Sequence, residues 1–220
     1  IAALFAASLH FIMGPAGMHS FGHAAYFGLG AYGAALLVRA MGLPMELALV
    51  VAPAVAALGA FVYGWFAVRL SGVYFAMLTL AFAQIAFAVV HQWYDFTGGD
   101  NGILGVWPAA SLATPVRYYY LALLAAVCGL AVLWRVTGSP FGYTLRAARD
   151  HPRRCQAIGV NVRSHRLLAF GVAGLFAGLG GAVFAFAKGS VFPDYLSMPM
   201  SVQSLVMVLL GGIHALAGAP

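Results

Sequence analysis

Charge is what this sequence has least of. Only 7% of its residues are Asp, Glu, Lys or Arg, against roughly 25% in a soluble domain. With 63% hydrophobic residues, too little polar surface remains for a water-soluble fold. Acids are scarcest: Glu46, Asp95, Asp100, Asp150 and Asp194. Apolar stretches separate them, which argues against paired-carboxylate catalysis, and no nucleophile–base–acid set is visible. The single lysine, Lys188, precedes Gly189-Ser190 with no GxxxxG before it, so these residues contain no Walker A loop. Of the two cysteines, Cys128 lies in an apolar run and Cys155 in a basic loop, and the different predicted depths argue against a disulfide between them. The long apolar runs also lack strand-like alternation. Only helices or closed barrels satisfy the backbone in lipid, and continuous runs select helices.

Those runs are what the sequence has most of. Residues 47–68 and 167–187 carry no charge, and 73–94 none except His91. A spanning helix needs about 20 apolar residues. The pattern predicts spans at 21–38, 46–68, 73–93, 116–134, 167–187 and 199–213, after a partial one at 1–13. The expected fold is all-α: a polytopic transmembrane helical bundle over a single domain, 1–220, truncated at both ends.

Seven of the eleven basic residues fall between Arg135 and Arg166. One face of the predicted topology holds Arg69 and those seven arginines against Asp150. The other holds Arg39, Arg117 and Lys188 against Glu46, Asp95, Asp100 and Asp194. Positive charge accumulates on cytoplasmic loops, so 69–72 and 135–166 are assigned to the cytoplasm and 94–115 to the outside. The basic residues cluster between spans rather than over a soluble face, so the net charge of +6 points to membrane lipid and a docking partner, not to nucleic acid.

The basic loop has internal punctuation. Ser139-Pro140 reads as an N-cap and first helical position, and His151-Pro152 ends that helix near Asp150. A short helix over Pro152–Ile158 follows, closed by Gly159, and Ser164 is placed to cap the next span. On the outer side, Thr97-Gly98-Gly99-Asp100-Asn101-Gly102 reads as a tight turn. Gly14-Pro15-Ala16-Gly17, ahead of Gly22, Gly28, Gly30 and Gly33, and the segment from Met198-Pro199 to Gly211-Gly212 are poor helices. Interrupted apolar segments mark a transport path; small residues also serve close helix packing. Gly28–Gly33 spells GxGxxG, followed by Glu46, but lies in an apolar span and is read as packing. The path candidates are His19, Ser20, His23, Tyr26 and Gly211, with Thr79, Gln84 and Gln203, polar residues within spans that either line the path or hydrogen-bond between helices. His19 and His23, four apart, would share a helix face as a hydrogen-bonded pair; no third ligand for a metal lies near them.

These pieces, in order, resemble the second permease type of branched-chain amino-acid ABC importers. The matching runs are Gly17–Tyr32, Leu70–Ala81, Thr97–Gly102, Ser139–Gly142, Leu145–Ala147, Ala157–Val162 and Leu209–Gly212. The resemblance implies a second permease subunit, cytoplasmic ATPase subunits that hold the ATP, a periplasmic substrate-binding protein and a bacterial inner-membrane location. It implies no catalytic residue and no cofactor in this chain. It also makes the short helix the coupling helix, giving Arg146, Arg149, Asp150, Arg153, Arg154, Ala157, Gly159 and Asn161 as ATPase-coupling candidates. This chain departs from the family at His151–Gln156, where relatives often have acids and alanines. Relatives also import urea, short amides or other amino acids. An ATP-independent carrier or channel is the alternative class; an ion-coupled carrier usually shows ionisable residues at membrane depth, and only histidines are found there.

Overall fold

The computed structural model describes residues 1–109, 112 and 114–212. Its elements in order are α1 (Ala2–Met13), α2 (Ala24–Met41), α3 (Met45–Ala67), α4 (Val73–Gln92), α5 (Tyr94–Thr97), β1 (Ile103–Leu104), α6 (Pro115–Thr137), α7 (Pro140–Asp150), α8 (Pro152–Ala157), α9 (Val162–Lys188), β2 (Ser190–Val191) and α10 (Met198–Gly211). Turns of 3₁₀ helix cover Gly99–Asn101 and Pro193–Leu196.

Six spans are predicted from the sequence. Five helices, α2, α3, α4, α6 and α9, are at least 18 residues long and apolar enough to cross a membrane. The sixth, α10, has 14 residues and rises about 21 Å, short of a hydrocarbon core of about 30 Å. Residue 213 of that predicted span lies outside the described residues.

The centre is α9 packed between α2 and α3, with α1 alongside. One face of α9 is a glycine row, Gly171, Gly174, Gly178 and Gly181. A Cβ at Gly181 would overlap the Phe27 carbonyl, one at Gly178 the Ala56 side chain and one at Gly174 the Ala60 side chain. Without a hydrophobic drive between helices in lipid, such close approach supplies the packing energy. The fingerprint-like glycines of α2 belong to the same contacts: Gly30 lies on the Gly178 backbone and Gly28 on Leu196. No nucleotide-binding strand precedes them; Gly28–Gly33 is helix. Pro53 sits inside α3 without breaking it. The opposite case is α6, which buries only Tyr118, Gly129, Leu133 and Thr137 and exposes Leu123, Leu124, Val127, Val132 and Trp134.

The outer turn forms as predicted. Gly98, Gly99 and Gly102 all have positive φ, at 77°, 55° and 66°. A Cβ at Gly102 would overlap the Val191 carbonyl, which brings the turn against β2. There β1 and β2 pair antiparallel, Ile103 opposite Val191 and Leu104 opposite Ser190. The linker after α9, the predicted 188–198 loop, packs back on the bundle. It folds back so that Tyr195 packs on Phe184, with ring centroids 5.1 Å apart, and Leu196 seats on Gly28.

Candidate functional site

Two places in the fold carry the polar and charged groups: a non-helical crossing at 14–23, and the appendage formed by α7 and α8.

The crossing begins where α1 ends. Gly17, with φ at 66°, reverses the chain, and the Met18 amide returns to the Ile12 carbonyl at 2.9 Å. Beyond it the backbone lies flat on α4: a Cβ at Gly22 would overlap the Thr79 carbonyl. The Phe21 amide donates to Thr79 Oγ1 at 3.3 Å, while that hydroxyl donates to the Ala76 carbonyl at 2.8 Å. The first amide of α2, Ala24, donates to Ser201 Oγ of α10 at 3.0 Å. A helix start leaves its first amides without intrahelical partners; here a distant helix supplies one.

His23 is fully buried. Its Nε2 lies 2.8 Å from Ser8 Oγ, and the Ser8 hydroxyl is itself 2.7 Å from the Phe5 carbonyl. The carbonyl can only accept, so Ser8 donates to it and accepts from His23; the ring proton is thereby assigned to Nε2. The His23 ring stacks on Phe5 at 5.4 Å and meets Tyr26 edge-on at 5.8 Å. Tyr26 in turn packs against Phe170 at 5.4 Å. Ser20 Oγ and His23 Nδ1 are buried and make no hydrogen bond within the protein.

The crossing thus brings together four of the eight path candidates, Ser20, His23, Tyr26 and Thr79. It separates the others. His19 is exposed, so the expected His19–His23 pair on one helix face does not form; both residues precede α2, and the chain there is not helical. Gln84 points out of α4, and Gly211 is half-buried at the end of α10. Gln203 lines a different feature, an apolar cavity of about 480 Å³ bounded by Phe5, Phe27, Tyr119, Phe184 and Ser204. The sequence reading overlooked Ser8 and Ser201. The available signal was a hydroxyl inside an otherwise apolar run. It also passed over His91, which stacks on Phe87 at 5.6 Å and stands 3.9 Å from Asp100.

The appendage follows its punctuation closely. Its first helix runs Pro140–Asp150 and its second Pro152–Ala157, with Gly159 at φ 88°. Two cap expectations are corrected. Ser139 stands at the N-cap position with Pro140 after it, as expected, but its hydroxyl donates backward to the Val136 carbonyl at 2.6 Å and makes no cap bond. The start of α9 is capped by Asn161, whose side-chain oxygen accepts from the Ser164 amide at 3.2 Å; Ser164 supplies the capped N–H and not the cap. That cap starts α9 at Val162, ahead of the predicted 167, and draws Arg163 and Arg166 into the helix. Ala148, Cys155 and Val162 form a small apolar core that fixes α7, α8 and the start of α9 together.

Arg146, Asp150, Arg153, Arg154, Ala157, Gly159 and Asn161 are all exposed on this seat. Arg146 lies over the Tyr143 ring at 5.5 Å, and Ile158 is 79% exposed. A shallow groove runs along Asp150–Arg154. Arg149 differs: its guanidinium turns inward and donates from Nη1 to the Gly14 carbonyl at 2.6 Å and from Nε to Asp150 Oδ1 at 2.8 Å. The second bond holds the Asp150 carboxyl below the usual carboxylate range.

Apolar helices separated by a non-helical small-residue crossing, with a basic appendage of two short helices, define a polytopic helical membrane protein of the transporter class. The comparisons give the family. The sequence model of the permease component of branched-chain amino-acid transport systems matches residues 1–219, and the chain belongs to that family. It is a multi-pass protein of the bacterial inner membrane.

It is 30% identical over 232 residues to the high-affinity branched-chain amino acid transport system permease protein LivM of Escherichia coli (strain K12), covering 93% of this chain and 55% of the relative. The LivM of Salmonella typhimurium matches with the same identity and coverage. The chain therefore spans about half the length of these curated relatives. An autoinducer 2 import system permease protein, LsrC of Yersinia pseudotuberculosis, is 31% identical over 110 residues, 49% of this chain and 31% of its own length. No solved structure matches.

Proposed function

We propose that this chain is a transmembrane permease subunit of an ATP-driven importer for a branched-chain amino acid. It works with a second permease subunit, cytoplasmic ATPase subunits that hold the ATP, and a periplasmic substrate-binding protein. The chain itself contributes no catalytic residue and no cofactor. In this reading 135–166 faces the cytoplasm, as the arginine excess there favours, and α8 is the coupling helix docked on an ATPase.

The observation that supports it is the exposed face of the appendage. Arg146, Arg153 and Arg154 stand on a seat fixed by Ala148, Cys155 and Val162, beside an exposed Ile158. Arginine forks pair bidentately with carboxylates, and a projecting isoleucine fills a groove. A topology signal alone requires charge but no fixed presentation of it. Relatives of this family take different solutes, and the partial likeness to an autoinducer 2 permease keeps a non-amino-acid solute as the second reading.

The test is a double substitution, Arg153→Gln with Arg154→Gln, in the chain expressed with its partner subunits. Topology survives on the five other arginines between 135 and 166. ATPase co-purification and solute-stimulated hydrolysis should fall while the binding protein keeps its affinity. Unchanged hydrolysis and uptake in the inserted double variant would remove these arginines from the contact. Uptake of labelled leucine, isoleucine and valine against urea, acetamide and other amino acids then fixes the solute.

A further inference from the structure

Resting on the permease reading, we infer that Arg149 is a positioning residue: a tie carrying movement of α7 and α8 to the crossing at 14–23, rather than a contact to the ATPase.

The geometry is specific. Gly14 is the residue after α1, and its carbonyl is one of the four that a helix end leaves without an intrahelical donor. Arg149 Nη1 donates to it at 2.6 Å across 135 positions of sequence. A cation at a helix C-terminus also meets the negative end of the dipole. The Arg149 stem lies on Gly17, where a Cβ would come within 2.5 Å of its Cγ. That position is closed to other side chains twice over, by the arginine and by its φ of 66°. A second donor of the same guanidinium, Nε, reaches Asp150 Oδ1 at 2.8 Å, and the two bonds together orient its plane toward Gly14. Lysine, a point charge on a flexible stem, cannot hold both directions.

The crossing then passes displacement on. Phe21 bonds Thr79 of α4, Gly22 lies on the Thr79 backbone, and Ala24 bonds Ser201 of α10. One end of the segment is thus bonded to the appendage and the other to two further helices. A load on α8 reaches α7 through the small core of Ala148 and Cys155, and leaves α7 through Arg149. Packed interfaces and cores rearrange between discrete states rather than deforming smoothly, so one rigid link is enough to bias the crossing.

The experiment compares Arg149→Gln, Arg149→Lys and Gly17→Ala in the full complex, in vesicles, measuring ATPase co-purification, hydrolysis and uptake. Arg149→Gln should retain the ATPase at wild-type stoichiometry and keep hydrolysing, while uptake per ATP falls about tenfold, the size of one lost charge-assisted hydrogen bond. Gly17→Ala should reproduce that loss without altering any charge, and Arg149→Lys should fall between. Loss of the ATPase from Arg149→Gln, as expected of the Arg153 and Arg154 double variant, would make it a docking residue and overturn the inference. So would unchanged uptake per ATP in Arg149→Gln. If Arg149→Gln is not recovered from the membrane, Arg149→Lys and Gly17→Ala are judged on the same two criteria. A wild-type chain that brings down no ATPase overturns the permease reading instead, and the two failures are thereby distinguished.

Discussion

Helices α9 and α6 look alike to a hydropathy scan, with mean hydropathy of 2.1 and 1.9 over their most apolar windows. Their places in the fold are opposite. The first is the most enclosed long helix and the second the least. The difference lies in residue size. On one face of α9, Gly178 and Gly181 let α2 approach backbone to backbone, and Gly171, Gly174 and Gly178 take the Phe61, Ala60 and Ala56 side chains of α3. The exposed side of α6 carries Leu123, Leu124, Val127, Val132 and Trp134. In lipid, apolarity says that a helix spans; small residues at helical spacing say which face is interior.

The sharpest way to break this comparison is Gly181→Leu. Even a Cβ there would overlap the Phe27 carbonyl, and backbone cannot step aside as a flexible side chain can. We expect a loss of about 3 kcal/mol or more, read as failed recovery of folded protein from detergent extracts. Gly22→Ala comes next, because its Cβ would overlap the Thr79 carbonyl. Overpacking of this kind costs about 1–3 kcal/mol, and uptake should fall together with thermal stability. Normal stability with normal uptake would show that the crossing can lift off α4. Ser201→Ala removes the side-chain partner of the Ala24 amide. Loss of a helix-start cap costs about 1 kcal/mol, seen as a lowered unfolding midpoint. At the small end, Leu124→Ala on the exposed side of α6 should change the stability of the isolated chain by less than about 0.5 kcal/mol. A large effect would mean that α6 is covered by protein.

The Arg149–Asp150 pair gives a null expectation in pH. The folded value of Asp150 is depressed by its bond to Arg149, so its contribution is present above the unfolded value near ~3.9 and is lost as pH falls through the folded value. Between pH 5 and 8, Asp150→Asn should leave the pH profile of uptake unaltered.

What could be read from the sequence was whatever depends on near neighbours in the chain. Pro140, Pro152 and Gly159 act on their own turns, so the two appendage helices appear within one residue of their expected bounds. The glycine turn at 97–102 is local for the same reason. The His19–His23 expectation assumed helical spacing and failed because Gly17 reverses the chain just before them. The bond from Ala24 to Ser201 spans 177 positions and that from Gly14 to Arg149 spans 135; neither has any periodic trace. Arg149 looks like its neighbours Arg146 and Arg153 in sequence. It turns inward where the side-chain-free Gly17 leaves room for its stem and the Gly14 carbonyl accepts from its Nη1.

The outer ribbon carries a consequence for the order of assembly. Ile103 pairs with Val191, and everything from α6 to α9 lies between them in the chain. Loop closure on that scale is entropically slow compared with local contacts. A nascent chain that has emerged only as far as Lys188 has β1 but no β2. The ribbon therefore closes only after α6 and α9 have both been inserted with their outer ends on the same side. A probe that senses the Trp107 ring settling over Gly189, where a Cβ would lie 2.8 Å from it, would report completed insertion as a late, single event.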